Sequence, residues 1–238
     1  GNIKSLNHLT QDEKQRISSA IIEYATLKLN VEPGEIIGDL IVNRYLMKEE
    51  EQGTELHDAR DFSNLLNACG RTNNASLGIA IAMGDRNKAY EHAKESVKNY
   101  KKSLMEGLDW LREEDKIQQK QHIQYYFGED VISEYIVGTI ASMLIFNNPD
   151  HVDIGKPIFG CALRKEEGVY KISARAHEGL VKRGVNLSQA IRKACEVMGL
   201  EVLGGGHPPA AGVKIPVDKI EEFLEVSNDV IKEQLEQG

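Results

Sequence analysis

The sequence predicts an α/β fold in which a mostly helical region, closed by a long connecting helix, leads into a compact mixed-sheet α/β domain. Three observations predict it. Up to residue 115 the apolar positions recur at helical spacing, and from residue 117 period-two alternation sets in. The order after that point reads strand, helix, hairpin, helix, strand, helix, which is the pattern of one layered unit. The expected division is therefore residues 1–115 and 116–238.

Each element has its own signal. Thr10 stands three residues before Glu13, a capping box, and Ile17, Ala20, Ile21, Tyr24 and Leu27 follow at helical spacing, predicting a helix over 11–29. "VEPGE" breaks it, and "IIGDLIVNRYLM" predicts a second helix over 35–47. "KEEEQGTEL" reads as a surface loop. Phe62, Leu65, Leu66 and Cys69 then share a face of a short helix ending near Gly70, and "ASLGIAIAM" at 75–83 reads as a small-residue buried helix. From Asn87 to about Asp115, Tyr90, Ala93, Val97, Tyr100, Leu104, Leu108 and Leu111 step by three and four, predicting a helix about 42 Å long. Such a helix suits an arm between domains or a helix packed on one of them.

Beyond it, Ile123, Tyr125 and Phe127 alternate as in a strand, and "SEYIVGTIASMLIFN" is an apolar helix. "KPIFGCALR" and "GVYKISARA" form a hairpin around "KEEG". Ile191, Ala194, Cys195 and Met198 mark another helix; the strand "GVKIP" and a last helix, with Asp218 and Glu221 as its capping box, complete the chain.

Composition narrows the function. The 238 residues, 41% hydrophobic and 28% charged, are ordinary for a globular protein. No apolar run reaches the roughly 18 residues of a membrane helix, and residues 1–30 lack a signal-peptide layout, so a cytoplasmic protein with no membrane partner is expected. The net charge of −8, from 29 basic and 37 acidic side chains, excludes a broad polybasic face but leaves a local basic groove open. Cys69, Cys161 and Cys195 are far apart in apolar segments and read as buried thiols.

No GxSxG elbow, phosphate-binding GxxxxGK[ST] loop or HExxH pair occurs. "HDARD" at 57–61 and "DHVD" at 150–153 set carboxylates beside histidine. Asp58 is better placed as a helix cap, and Asp150, His151 and Asp153 as a surface turn. "LGGGHPPAAG" at 203–212 is the stretch with chemical promise. Gly204, Gly205 and Gly206 have no Cβ, so their N–H groups can converge on a phosphate oxygen with His207 at the rim; a helix cap and turn is the plainer alternative. In "YKISARAH", alternation sets Tyr170, Ile172 and Ala174 on one face and Lys171, Ser173, Arg175 and His177 on the other, so a hydroxyl and a bidentate guanidinium project together.

Ser173 and Arg175, a helix, then Gly204, Gly205, Gly206, His207, Ala210, Ala211 and Gly212 resemble the C-terminal domain of the DHH phosphoesterase superfamily, which includes the RecJ exonucleases. "LLNACGR", ending in Arg71, and "IVGTIASML" at 136–144 resemble two further RecJ-like segments, of archaeal type, so the likeness spans about residues 55–216. The resemblance implies hydrolysis of phosphodiesters in single-stranded nucleic acid, from the 5′ end, by manganese or magnesium bound in a separate DHH catalytic domain. It gives Arg71, Ser173, Arg175 and the glycines to phosphate binding and His207 to the neighbourhood of the reacting phosphate. The upstream metal-ligand motifs of that superfamily, DxD, an internal Asp-His pair and the DHH triplet, are not found ahead of this domain, and Asp150-His151-Val152-Asp153 is not DHH and falls in the wrong domain. The chain is therefore expected to be the C-terminal portion of a longer enzyme, inactive alone, holding no metal and partnered by its own catalytic domain. The alternatives are a phosphodiesterase of oligonucleotides or cyclic dinucleotides and a non-catalytic component working among replication proteins.

Overall fold

The structure, a computed structural model, describes residues 9–29, 32–40, 42–113, 115–147, 150–201 and 204–237. Parts of four expected features, at residue 31 of "VEPGE", residue 41 of the second helix, residue 114 of the long helix and residue 203 of the glycine stretch, lie outside these. The chain forms two compact units, residues 1–63 and 64–238.

In the first unit, α1 (Gln11–Leu29) begins at the expected capping box: Thr10 N–H donates to Glu13 Oε2 at 2.8 Å, and Glu13 N–H to Thr10 Oγ1 at 3.2 Å. Helix α2 (Pro33–Leu40) is shorter than the predicted 35–47. Its expected last turn is diverted into pairing with residues 57–59: Leu46 bridges Asp58, and Met47 N–H donates to the His57 carbonyl at 2.8 Å. Period alone did not reveal that competing partner. Asp58 caps the next helix, α3 (Ala59–Arg71), accepting the Arg60 N–H at 2.8 Å, and it pairs with the Arg44 guanidinium, which holds its carboxyl below the usual range.

The second unit opens with α4 (Ala75–Ala82) and α5 (Lys88–Glu113). Only one face of α4 is covered: Gly78 and Ile81 are buried while Ile79 is 62% exposed, so the helix is less buried than its composition suggests. The strands β1 (Gln118–Gln119), β2 (Gln124–Phe127), β3 (Ile158–Arg164), β4 (Val169–Arg175), β5 (Gly205–His207) and β6 (Ala210–Pro216) form one sheet in the order β1-β2-β3-β4-β6-β5. Strands β2 and β3 are parallel and joined through α6 (Val137–Asn147); the other neighbours are antiparallel. The sheet is mixed, as predicted.

Alternation along these strands feeds two cores. Tyr125, Phe159, Ile172, Ala174, Val213 and Ile215 pack on one face against α8 (Leu187–Val197) and α9 (Ile220–Gln237). On the other face Tyr126, Ile158 and Ala162 meet Ile140 and Leu144 of α6 and Leu104 and Leu111 of α5. The long helix is thus packed within this unit. A short helix, α7 (Glu178–Lys182), had no clear sequence signal. Helix α9 is entered through a 3-10 turn, Val217–Lys219, with Lys219 paired to Glu222, in place of the expected Asp218–Glu221 box. All three cysteines are buried and free, and burial pushes each thiol pKa up. Among the described residues no helix is long and apolar enough to cross a membrane.

One contact sets the position of α6. The fully buried Tyr126 hydroxyl donates to the Val137 carbonyl at 2.8 Å, and there is room for it because a Cβ on Gly160 would lie 2.5 Å from that oxygen. The start of α6 is thereby pinned across β3, beside β4.

Candidate anion-binding site

Strand β4 presents its two faces as its sequence predicts. Tyr170, Ile172 and Ala174 enter the core under α8 and α9, and Lys171, Ser173 and Arg175 face the α6 side. His177 departs from the expectation. The strand ends at Arg175, and His177 caps α7 instead, its Nδ1 accepting the Gly179 N–H at 3.1 Å.

The register extends this face across three strands. Arg175 lies opposite Ala210, which lies opposite His207; Ser173 lies opposite Gly212, which lies opposite Gly205; Lys171 lies opposite Lys214. Directly paired residues project to the same side, so Arg175 and His207 share a face, two strand spacings or about 10 Å apart. Between them lie only Ala210, Gly212 and Gly205. A cleft of about 490 Å³ lined by Lys171, Ser173, Gly212, Lys214 and Glu201 opens beside this floor.

The glycines therefore take another geometry than a convergent loop. Gly205, Gly206 and His207 are an edge strand hydrogen-bonded to β6, and successive N–H groups of an extended strand point to opposite sides. What they contribute is a surface without side chains. The turn at Pro208 and Pro209 is tied down by its carbonyls, which accept the N–H groups of Leu187 at 3.0 Å and Ala176 at 2.9 Å.

Opposite the floor stands the first turn of α6. A Cβ on Gly138 would lie 3.0 Å from Arg175 Nη2 and 3.2 Å from Ser173 Oγ, so the bare glycine lets both side chains lie against the helix. Arg175 is steadied by Nε donating to Ser142 Oγ and Nη1 donating to the Ala174 carbonyl, each at 2.8 Å. The turn before α6 gathers two more cations: Arg71 Nη1 donates to the Tyr135 carbonyl at 3.0 Å, and Lys171 Nζ to the adjacent Glu134 carbonyl at 2.9 Å.

Electrostatically this cluster is costly. Burial lowers the pKa of Arg175 and of Lys171 from their usual values, and the nearby Arg71 charge lowers both further, while Glu134 works against the shift at Lys171. Of the nearby carboxylates, Glu134 is engaged with Arg164 at 3.1 Å and Glu167 with both Arg164 and Lys214, while Glu201 lines the cleft on the Lys171 side. Among the described residues Arg71, Lys171 and Arg175 form no ion pair. Three partly desolvated cations with a helix N-terminus and a hydroxyl beside them make a place where an anion is stabilised.

Lys171, Gly138 and Ser142 were missed as site residues. Lys171 stood in the same alternation as Ser173 and Arg175. Gly138 and Ser142, four apart in an apolar helix, mark a small-residue stripe facing something other than core.

Residues 121–233 match the family described as the DHHA1 domain. This agrees with the resemblance to the C-terminal domain of RecJ-like members of the DHH superfamily. Across 224 residues, 94% of the chain, an uncharacterized protein of Methanocaldococcus jannaschii is 31% identical, and the match covers 43% of that protein. The chain thus spans less than half the length of this relative. RecJ from Thermus thermophilus, solved in complex with Mn2+, superposes with a TM-score of 0.52 at 17% identity, covering 74% of this chain and 24% of that one. The same protein in complex with Mg2+ gives 0.52 at 15% identity, covering 92% and 28%. At these identities the likeness is one of fold. Among the described residues no group of three or more His, Cys, Asp or Glu could hold a metal ion. Asp153 is instead part of a turn tied to Gln124, whose Oε1 accepts the Asp153 N–H at 3.1 Å.

Proposed function

We propose that this chain grips a backbone phosphate of single-stranded nucleic acid, as the substrate-holding part of a longer RecJ-like phosphodiesterase. Hydrolysis, from the 5′ end, belongs to a manganese or magnesium centre in the DHH catalytic domain of that longer protein, and this chain alone is inactive. The observation that carries the reading is the gathering of Arg71, Lys171 and Arg175, with no ion pair among the described residues, beside Ser173 and the start of α6. A compact cationic spot in a chain of net charge −8 suits one or a few phosphates rather than the flank of a duplex.

Fluorescence-anisotropy titration of 5′-labelled and 5′-phosphorylated single strands of 2 to 20 nucleotides tests it. Binding is expected to weaken with salt at a log–log slope of about −0.7 per phosphate engaged, hence between about −0.7 and −2. No binding at low salt, or binding indifferent to salt, removes the reading. A plateau already reached at two or three nucleotides moves the substrate to short oligonucleotides.

The lysine gives this binding a pH signature. Only the protonated Lys171 attracts phosphate, and its folded pKa lies below the usual 10.5. Affinity is therefore expected to hold near neutrality and to fall as pH rises through that lowered pKa, earlier than an ordinary lysine would allow. Lys171→Arg should abolish the fall, because guanidinium keeps its proton. In the unliganded protein the unfolded state binds the extra proton in this window, so stability rises with pH there. Titrations of the same strand between pH 7 and 10.5 check the sign; a flat wild-type profile contradicts it.

A further inference from the structure

Beside the cation cluster lies a second cleft, of about 400 Å³, walled by the end of α3, the middle of α5 and the turn before α6. Its chemistry differs from its surroundings. Arg71 is the one charged residue among the described residues lining it, and the rest include Asn73, Asn99, Tyr100, Ser103 and Tyr135. The neighbouring cleft is, by contrast, rich in charge, with Glu129, Asp130, Glu134, Glu166 and Glu167 set against Arg164 and Lys165. Apart from Arg71 the lining is uncharged and amide-rich with two phenol rings, in a chain where 28% of residues are charged, and this points to a polar ligand group with a flat apolar face.

The free hydrogen-bonding capacity suits such a ligand. The Tyr135 hydroxyl donates to Asn73 Oδ1 at 3.3 Å, which orients the Asn73 amide and leaves its NH2 as a donor. Asn73 is held at φ 59°, a left-handed conformation that turns the chain at the end of α3 into the cleft wall. The Tyr100 hydroxyl is engaged with Thr139 Oγ1 at 3.3 Å, fixing its ring. Asn99 and Ser103 stand four residues apart on one face of α5, so an amide, with both donor and acceptor, and a hydroxyl line the same wall.

Arg71 connects this pocket to the anion site. It lines the cleft, it donates to the carbonyl of Tyr135 in the cleft wall, and its charge acts on both Lys171 and Arg175. We infer that the cleft walled by Asn73, Asn99, Tyr100 and Tyr135 receives the nucleobase of the nucleotide whose phosphate Arg71 contacts. The inference rests on the phosphate-gripping reading above. A base presents donors, acceptors and a stacking face together, and phosphate and base of one nucleotide are separated by a single sugar, so one guanidinium between the two sites serves both.

The test uses this 238-residue chain with a 5′-phosphorylated trinucleotide and three versions of it, each abasic at one position, so that charge stays constant. The wild type is expected to bind the intact trinucleotide at least about 10-fold more tightly than one of the abasic versions. Asn99→Ala, an exposed substitution that leaves the fold intact, together with Tyr135→Phe should reduce that ratio at least about threefold, with affinity for the abasic version unchanged. Arg71→Ala should weaken every ligand. Equal binding of the intact trinucleotide and all three abasic versions overturns the base pocket while leaving the phosphate site standing. A ratio untouched by the double variant also overturns it, and no binding of any of the four overturns both.

Discussion

Arg175→Ala is expected to weaken single-strand binding by about 1–3 kcal/mol, roughly 5- to 150-fold, while the protein remains folded and close to its original stability. The two halves of this outcome have separate causes. Binding suffers because the guanidinium is held by Ser142 Oγ and the Ala174 carbonyl against the first turn of α6, beside Ser173, so the charge is already positioned when a phosphate arrives. Stability should change little because the same charge is a burden in the free protein: burial and Arg71 both depress its pKa. Truncation exposes the Ala174 carbonyl and the Ser142 hydroxyl, but it also removes a desolvated cation from beside Arg71 and Lys171. Thermal or denaturant unfolding compared with a low-salt titration separates the two. Unchanged affinity would remove Arg175 from the site; a large loss of stability would make it a structural residue instead.

How much of this site the sequence disclosed depends on where each residue's partners lie. Ser173 and Arg175 were readable because a strand's period of two is local, and the core took Tyr170, Ile172 and Ala174 as that period requires. Thr10 with Glu13 and Asp58 with Arg60 were readable for the same reason, since caps are closed within four residues. Lys171 acquires its role from the Glu134 carbonyl, 37 positions away, and Arg71 from the Tyr135 carbonyl, 64 away. Nothing in a local window carries such pairings. The last turn of the predicted second helix failed likewise, because the alternative partner of Tyr45–Met47 lies at residues 57–59.

The glycine segment misled for a different physical reason. Three glycines have no strand propensity, no side chain to alternate and no packing preference, so their own residues offer nothing that announces β5. The strand exists because β6, whose Ala211, Val213 and Ile215 do alternate into the core, supplies a template, and because the Pro208–Pro209 turn brings the chain back beside it. The resemblance marked these positions as a unit without indicating whether they form a loop or an edge.

The three glycines are consequently expected to respond very differently to alanine, with Gly206→Ala the most damaging, at about 1–3 kcal/mol of stability. Gly206 has φ 149°, and a Cβ there would lie 2.3 Å from the Ala210 carbonyl oxygen and 2.5 Å from the Ala211 Cα, both backbone atoms of the paired strand. Neither can move without unpairing β5 from β6, so the substitution should also release His207 from its place opposite Ala210. At Gly204 the nearest obstacle is the Cγ2 methyl of the buried Ile191 at 2.6 Å, a side-chain rather than a backbone atom, so Gly204→Ala should cost less than Gly206→Ala while still displacing a packed core residue. Gly205 has nothing within 4 Å of a Cβ, so Gly205→Ala should fold as well as the wild type. It lies on the floor between Ser173 and the edge, opposite Gly212, and an added methyl there stands where a nucleic-acid backbone would rest. Gly205→Ala should therefore lose affinity without losing stability, and Gly206→Ala should lose both. Denaturant melts and titrations of the three variants give the order directly. Equal stability of Gly205→Ala and Gly206→Ala would mean that β5 is not held against β6, and undiminished binding by Gly205→Ala would take the glycine floor out of the phosphate's path.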